Sequence, residues 1–330
     1  MAINQISLAR HNATKFEEGI QQLFLEAAPL LDLIPTVTNG SLQGRWRRLK
    51  TLPDVGTRRL YMPFAESQGG WDTQAFDIPI YGGMLRIDEQ LLTEPGGAEE
   101  WADQIELYSQ AMAFQLNTDA INGDRAVDVD GMDGLKVQIA AGPARMTLAP
   151  VTAGDLDLTS PALRKDNAPE LIRLMDLAFL RIRQGTGGSP NLIVMNDDLY
   201  NLMSDAFRQS GFLTTSQDSI GRDYMTYKGA KIVLAGFSYA EALEQTEASN
   251  AVIPADFDGD GNTSMLFLRT GKQYVRWVQK HPLKVTEARV NADGSSDDEM
   301  VTRVKKVEHP ITIHVKHPYS AARLTGITIE

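Results

Sequence analysis

The sequence predicts an α+β fold, and three patterns carry that expectation. Residues 55–92 alternate apolar and polar side chains in two runs, as paired strands do. Residues 98–121 repeat apolar side chains every three or four positions, as a long helix does. Residues 136–279 alternate helical and strand-like segments, as a compact α/β layer does. With 330 residues, 42% hydrophobic and 23% charged, the chain can bury a substantial core in one elaborated domain or two.

The N-terminal stretch reads as an arm with one helix. Thr14 and Glu17 have capping-box spacing, and Phe16, Ile20, Leu23 and Ala27 recur at helical intervals until Pro29 and Pro35 interrupt them. Such an amphipathic helix needs a surface to cover, on its own domain or on another subunit. Phe16 and Ile20 are its candidate contact residues.

In the hairpin region, residues 58–65 place Leu60, Met62 and Phe64 on one face, and Phe76, Ile78 and Ile80 mark a second run. Between them, residues 66–73 form a polar tip broken by Gly69 and Gly70. An isolated two-stranded ribbon is marginal in water, so this one must lie on its own body or on a neighbour. Pro63 and Pro79 cannot donate to a ladder and suit peripheral strands.

Pro95-Gly96-Gly97 ends the ribbon, and the helix follows. Trp101, Ile105, Tyr108, Met112, Leu116 and Ala120 form its apolar stripe, with Glu99, Glu100 and Asp103 at the dipole-favoured start. At about 1.5 Å per residue it spans roughly 35 Å. Asn122-Gly123-Asp124 stops it, and residues 128–135 make a turn-rich crossing. Further on, residues 169–184 and 197–209 read as helices and residues 191–195, 231–234, 265–269 and 274–278 as strands. Residues 238–262 look like a surface excursion. The tail is extended over residues 301–315, broken by Pro310, and over residues 323–329.

Composition and motifs exclude more than they assign. There is no cysteine, hence no disulfide or thiolate chemistry. No apolar run approaches the roughly 20 residues of a membrane span, and no signal-peptide pattern opens the chain. A net charge of −11 argues against a dedicated nucleic-acid binder. The densest basic run, residues 45–50, reads as a solvated or salt-bridged face. Residues 185–189 lack the lysine of a phosphate loop, and residues 236–240 lack the closing glycine of a nucleophile elbow. On one strand His309 and His317 face opposite to His314, so the three cannot converge. Asp256, Asp258 and Asp260 followed by Gly261 match the start of a calcium loop, but Phe267 stands where its closing glutamate belongs. They remain a weak calcium candidate against a simple Asp/Gly turn. No catalytic residue or cofactor is expected, and the chain is not read as an enzyme.

The order of arm, hairpin, long helix, α/β region and returning strands is joined by specific residues: Phe24-Leu25-Glu26-Ala27-Ala28-Pro29-Leu30-Leu31, Leu52-Pro53-Asp54, Ile121-Asn122-Gly123-Asp124 ahead of Asp133-Gly134-Leu135, and Tyr227-Lys228-Gly229. Together they resemble the major capsid proteins of tailed bacteriophages, with the Hong Kong ninety-seven-type fold shared with encapsulin shells. The resemblance implies an N-terminal arm at 1–54, an extended hairpin loop at 55–90, a peripheral domain at 91–135 and 283–330 with the long helix as its spine, and an axial domain at 136–282.

It also implies a structural protein of the virion, assembled in the host bacterial cytoplasm. Hexamers and pentamers would form an icosahedral or prolate head shell that contains double-stranded DNA non-specifically. A separate scaffolding protein, a portal and a decoration protein are the implied partners, with no membrane. Arg58 and Arg59 would pair with acids of the next subunit or stay solvated, Trp71 would anchor the tip, and Phe64 and Phe76 would add apolar contact. No lysine occurs in residues 51–135, so the lysine–asparagine crosslink of some members is expected to be absent. Three other readings stay open: an encapsulin-like shell around protein cargo, a hydrolytic or calcium-binding α/β protein built on residues 136–282, and a tail-tube subunit, which the long helix suits less well.

Overall fold

The computed structural model describes residues 28–88, 90–91, 97–150, 156–210, 214–217, 223–236, 251–259, 261–290 and 302–329. The predicted arm helix, with Phe16 and Ile20, lies outside them, as does Asp260. The described chain begins with α1 (Pro29–Leu33), which has proline in its first turn, and β1 (Thr36–Thr38). Leu30, Leu31 and Ile34 are fully buried, and the Trp277 indole donates to the Leu30 carbonyl at 3.1 Å.

Two strands, β2 (Gln43–Thr51) and β3 (Gly70–Asp77), then pair only with each other, antiparallel, from Gln43↔Asp77 to Thr51↔Gly70. A hairpin exists, but on different strands from those the alternation predicts. Residues 58–65 form no strand and lie within the connection between β2 and β3. Their alternating Leu60, Met62 and Phe64 have neither a pairing partner nor a face to bury. The strand that does form carries the basic run at residues 45–50; β3 alternates half-buried and exposed positions, so the ribbon turns only one face towards the body and a continuous apolar pattern is not required of it.

β4 (Ile80–Asp88) leaves the ribbon for the body, and α2 (Gly97–Asn122) is the predicted spine, one residue longer at each end. Trp101, Ile105, Met112, Leu116 and Ala120 are buried as expected. Tyr108 is not: it stays 39% exposed, lying over Gly83 of β4, where a Cβ would come within 2.2 Å of the ring. Asn117 and Asn122 of α2 donate to the carbonyls of Ala235 and Val252, each at 2.7 Å, which ties the spine to the middle of the chain.

The stop after α2 is a close crossing. The Gly134 amide donates to the Gly123 carbonyl at 2.8 Å, and a Cβ on Gly134 would lie 2.6 Å from the Ile121 carbonyl. Side chains do not fit there, which explains both glycines. The chain continues through α3 (Leu135–Ala140), β5 (Thr147–Leu148), β6 (Leu156–Asp157), α4 (Pro161–Thr186), β7 (Leu192–Met195) and α5 (Asp197–Ser210). α4 starts at Pro161 and not at Pro169 as the sequence suggests. Ser160 caps it by accepting the Leu163 amide at 3.3 Å, Pro161 takes the first turn, and buried Ala168 and Leu171 hold the helix through the inner proline.

Eight strands complete the inventory of the described residues with those above: β8 (Thr214–Gln217), β9 (Asp223–Tyr227), β10 (Ala230–Leu234), β11 (Asn262–Leu268), β12 (Val275–Gln279), β13 (Lys284–Val290), β14 (Thr302–Val315) and β15 (Ala321–Thr328) follow β7. Lys228 and Gly229, with φ of 49° and 84°, form the tight turn between β9 and β10, whose left-handed residues match the strand twist. One eight-stranded sheet runs β5-β15-β11-β7-β10-β9-β8, with β6 also on β15. A five-stranded sheet runs β1-β12-β14-β13, with β4 also on β14. β12 therefore joins the sheet of the spine, and β15 returns to the middle sheet. Both sheets contribute to one buried core with α1, α2 and α4.

Pro310 does not break β14. Its two neighbours change at that point: β13 pairs as far as Glu308, β12 pairs from Ile311, and β4 ends opposite Pro310. A residue without an N–H is tolerated where the ladder changes partners.

Candidate assembly surface

The ribbon is held to the body at its base. Trp46 of β2 meets His314 of β14 edge-on with ring centroids 3.7 Å apart, and Phe76 of β3 stacks on the same histidine at 5.2 Å. Gly44 lies opposite Phe76 in the ladder and leaves room for its ring. Arg125, just past α2, pairs with Asp77 at 3.1 Å. These residues border a cleft of about 220 Å³ between the ribbon and β14. Phe76, read from the sequence as an inter-subunit contact, is thus engaged within its own chain.

Beyond the base, nothing among the described residues covers the ribbon. Every residue from Thr51 to Gly69 is exposed. That stretch and its edge present Leu52, Val55, Leu60, Tyr61, Met62, Phe64 and Trp71, each at least 61% exposed. The tip is shaped without an apolar core. Thr51 accepts the Gly70 amide at 2.9 Å, Ser67 donates to the Asp54 carbonyl at 2.9 Å, and Met62 donates to the Arg59 carbonyl at 3.1 Å. Tyr61 adopts a φ of 68°, uncommon for a side-chain-bearing residue, and is 94% exposed. Arg58 donates to the Met62 carbonyl at 3.3 Å and lies 5.2 Å from the Phe64 ring centre. Both arginines and Phe64 thus share the tip, while Trp71 stands where the ladder gives way to it.

The sequence does not mark Tyr61 or Val55 as contact residues, and Leu52 enters it only within the Leu52-Pro53-Asp54 motif. Their signal was the apolar content of residues 52–64 with no strand to use it. Large exposed apolar side chains concentrated on one projection make it a candidate contact for another molecule.

The remaining candidates have structural roles. Asp258 binds Arg323 of β15 and accepts the Ser264 hydroxyl at 2.7 Å, and Asp256 accepts the Gly261 amide at 2.8 Å. That is how an Asp/Gly turn is closed, with one carboxylate already neutralised by a guanidinium. Among the described residues no group of three His, Asp or Glu is placed to hold a metal ion. The glycines at 185 and 188 admit the Tyr319 ring and the Arg269 guanidinium, not a phosphate. His309 and His314 point to opposite faces of β14, and burial pushes both imidazoles down to about 3. No helix among the described residues is long and apolar enough to cross a membrane.

No protein-family model matches the chain, and no curated protein matches it. Solved structures do. The SrpI encapsulin of Synechococcus elongatus superposes with a TM-score of 0.59 at 13% identity, over 91% of this chain and 87% of that one. The capsid of a native GTA particle gives 0.56 at 15% identity, over 92% and 91%. A chain from Mycobacterium phage Bobi gives 0.55 at 12% identity, over 98% of both. With these superpositions covering 91% or more of its length, this chain has the Hong Kong ninety-seven-type fold of phage capsids and encapsulins.

Proposed function

We propose that the chain is a shell-forming subunit, the major capsid protein of a tailed phage, which assembles into hexamers and pentamers around double-stranded DNA. The observation that carries this is the ribbon tip: seven large apolar side chains, each at least 61% exposed, on a projection that no other described residue covers. A protein that worked alone would gain nothing from it, whereas a neighbour laid under each ribbon would bury it. Repeated around a closed ring, one such contact per subunit makes a strong assembly from weak parts.

In this reading Phe64 and Trp71 anchor the tip on the next subunit, and Arg58 and Arg59 face its acids. The ribbon is the extended loop, α2 and the five-stranded sheet form the peripheral domain, and the eight-stranded sheet forms the axial domain. The divisions at 1–54, 55–90, 91–135 with 283–330, and 136–282 are kept as the working scheme, with β12 and β15 exchanged between sheets. The shell belongs to a virion built in the host cytoplasm with a separate scaffolding protein, a portal and a decoration protein. It needs no catalytic group.

A second reading, a nanocompartment around protein cargo, is favoured by the encapsulin superposition at 0.59. Negative-stain microscopy and sedimentation of the full chain, expressed alone and with its neighbouring genes, test both. Closed shells or capsomer rings support a shell subunit, and DNA or protein inside them separates the two readings. A monomer under every condition overturns both.

A further inference from the structure

In a chain of net charge −11, one region holds no acid among the described residues. Residues 136–150, 177–196, 261–286 and 309–329 hold neither Asp nor Glu. These four segments are far apart in sequence, yet their ends meet beside the C-terminus of α4. There Arg145 lies over the Tyr319 ring at 4.4 Å, and Arg181 donates to the Arg145 carbonyl. Tyr319 neighbours His317 at 5.9 Å, His317 neighbours Tyr274 at 6.3 Å, and Arg269 lies over Tyr274 at 4.0 Å. Arg276 donates to the Lys272 carbonyl at 3.0 Å, and Lys316 donates to Gln273.

None of these six cations forms an ion pair among the described residues. Arg269 is accounted for by the end of α4, where it donates to the Thr186 carbonyl at 2.7 Å. The other five have no such explanation. Burial, and then the neighbouring cation, holds Arg181 and Lys316 below their ordinary values. The nearest acids across the ribbon cleft are occupied: Asp77 binds the Arg125 guanidinium at 3.1 Å, and Asp133 accepts the Arg125 amide at 3.2 Å. Like charges gathered this closely without acids repel one another, and a polyanion relieves the repulsion.

We propose that the face formed by Arg145, Arg181, Arg269, Lys272, Arg276 and Lys316 is a contact surface for the phosphates of double-stranded DNA. It rests on the shell reading for the source of that DNA, and it makes this face the inner wall. Arg145, Arg181, Arg269 and Arg276 are fixed by ring stacking and backbone bonds and Lys316 by Gln273, not by any base-reading geometry, so the contact is independent of sequence. The rest of the acidic surface repels DNA, which keeps the packed genome against one face without tight gripping.

The test is fluorescence anisotropy of an arbitrary-sequence duplex with the full chain as unassembled subunits, across a salt series. Arg145 and Lys272 are exposed, so R145E/K272E should leave the fold intact, with K165E on exposed Lys165 of α4 as the same kind of charge change elsewhere. The wild type and K165E should bind, while R145E/K272E binds at least about tenfold more weakly, with a salt slope shallower by about two. Equal binding by all three proteins, or none by the wild type, overturns the proposal. So does patch-dependent binding of a poly-glutamate peptide without binding of the duplex, which would assign the face to an acidic protein. Sedimentation of the same samples under assembly conditions reports shell formation separately, so failure of this inference is distinguishable from failure of the shell reading.

Discussion

The imidazole of His314 lies edge-on to the Trp46 indole with ring centroids 3.7 Å apart, joining the ribbon to the longest strand of the body. Burial holds that imidazole neutral and pushes it down to about 3, helped by the nearby Arg276 and Lys316 charges. His309 is held down to about 3 in the same way. The unfolded chain takes up these protons near the ordinary value of about 6.5. Between about pH 6.5 and about pH 3 it therefore binds more protons than the folded chain, and stability falls with acid, while above about 6.5 this contribution is constant. His314→Phe keeps a ring against Trp46 and cannot take up the proton. Urea midpoints at about pH 7 and about pH 4 should differ less in the variant than in the wild type; an unchanged difference would remove His314 from the acid response.

The crossing after the spine helix makes a sharper prediction. In Gly134→Ala the new Cβ would lie 2.6 Å from the Ile121 carbonyl and 2.7 Å from both the Asp119 carbonyl and the Gly123 amide, all of them backbone atoms. No side-chain rotation can relieve such contacts. The loss should be about 1–3 kcal/mol or more, read from chemical denaturation. A neutral result would mean that the loop between α2 and α3 can open without disturbing the Gly134–Gly123 hydrogen bond.

Burial decided which elements could be read from sequence. α2 was legible to within one residue at each end because Ile105, Met112, Leu116 and Ala120 meet a core, and a buried stripe leaves a 3.6-residue period. The ribbon was legible as a hairpin but not in register. With only one face of its base against the body and the tip exposed, neither Arg45 in β2 nor Leu60 in the tip reports its place. Pro310 suggested a break because a single sequence does not show that the pairing strands change beside it. The acid-free face was invisible for another reason: Arg145, Arg181, Arg276 and Lys316 are unremarkable one at a time, and only tertiary structure gathers them.

Arg323 and Asp258 test how the aspartate-rich turn is held. Both side chains are nearly inaccessible, at 10% and 13%, and Ser264 bridges them by donating to Asp258 and accepting from Arg323 at 3.0 Å. Arg323→Ala leaves the carboxylate buried without its cation, a loss of roughly 3–5 kcal/mol. Thermal or urea unfolding measures it. Calorimetric titration of the wild type with calcium should show no binding heat, since Asp258 is already neutralised; a saturable heat would revive the loop as a cation site.

The absence of lysine from residues 51–135 bears on how shells are locked. The one lysine of the ribbon is Lys50, next to the last residue of β2, and neither the tip nor β3 offers an ε-amine to condense with a neighbour's amide. Boiled shells should run as monomer in a denaturing gel, and a ladder of higher species would require another linkage.

The most direct prediction separates folding from assembly. Leu60 and Phe64 are 80% and 62% exposed, so in the single chain their side chains bury little and Leu60→Asp or Phe64→Asp should change unfolding free energy by no more than about 0.5 kcal/mol. In a ring the same residues would enter a neighbour's surface, where loss of a central apolar anchor costs about 2 kcal/mol or more per contact. In the proposed ring each subunit would give one tip and receive one, so every contact would be weakened together. The expected result is an unchanged urea midpoint with shells or rings lost from sedimentation. Assembly at wild-type yield by both variants would place the subunit contacts elsewhere and leave the exposed tip unexplained. A variant that unfolds would instead mean that the tip covers its own body in solution. Trp71→Ser, at the edge of the same surface, tests the anchor assigned to it by the same two measurements.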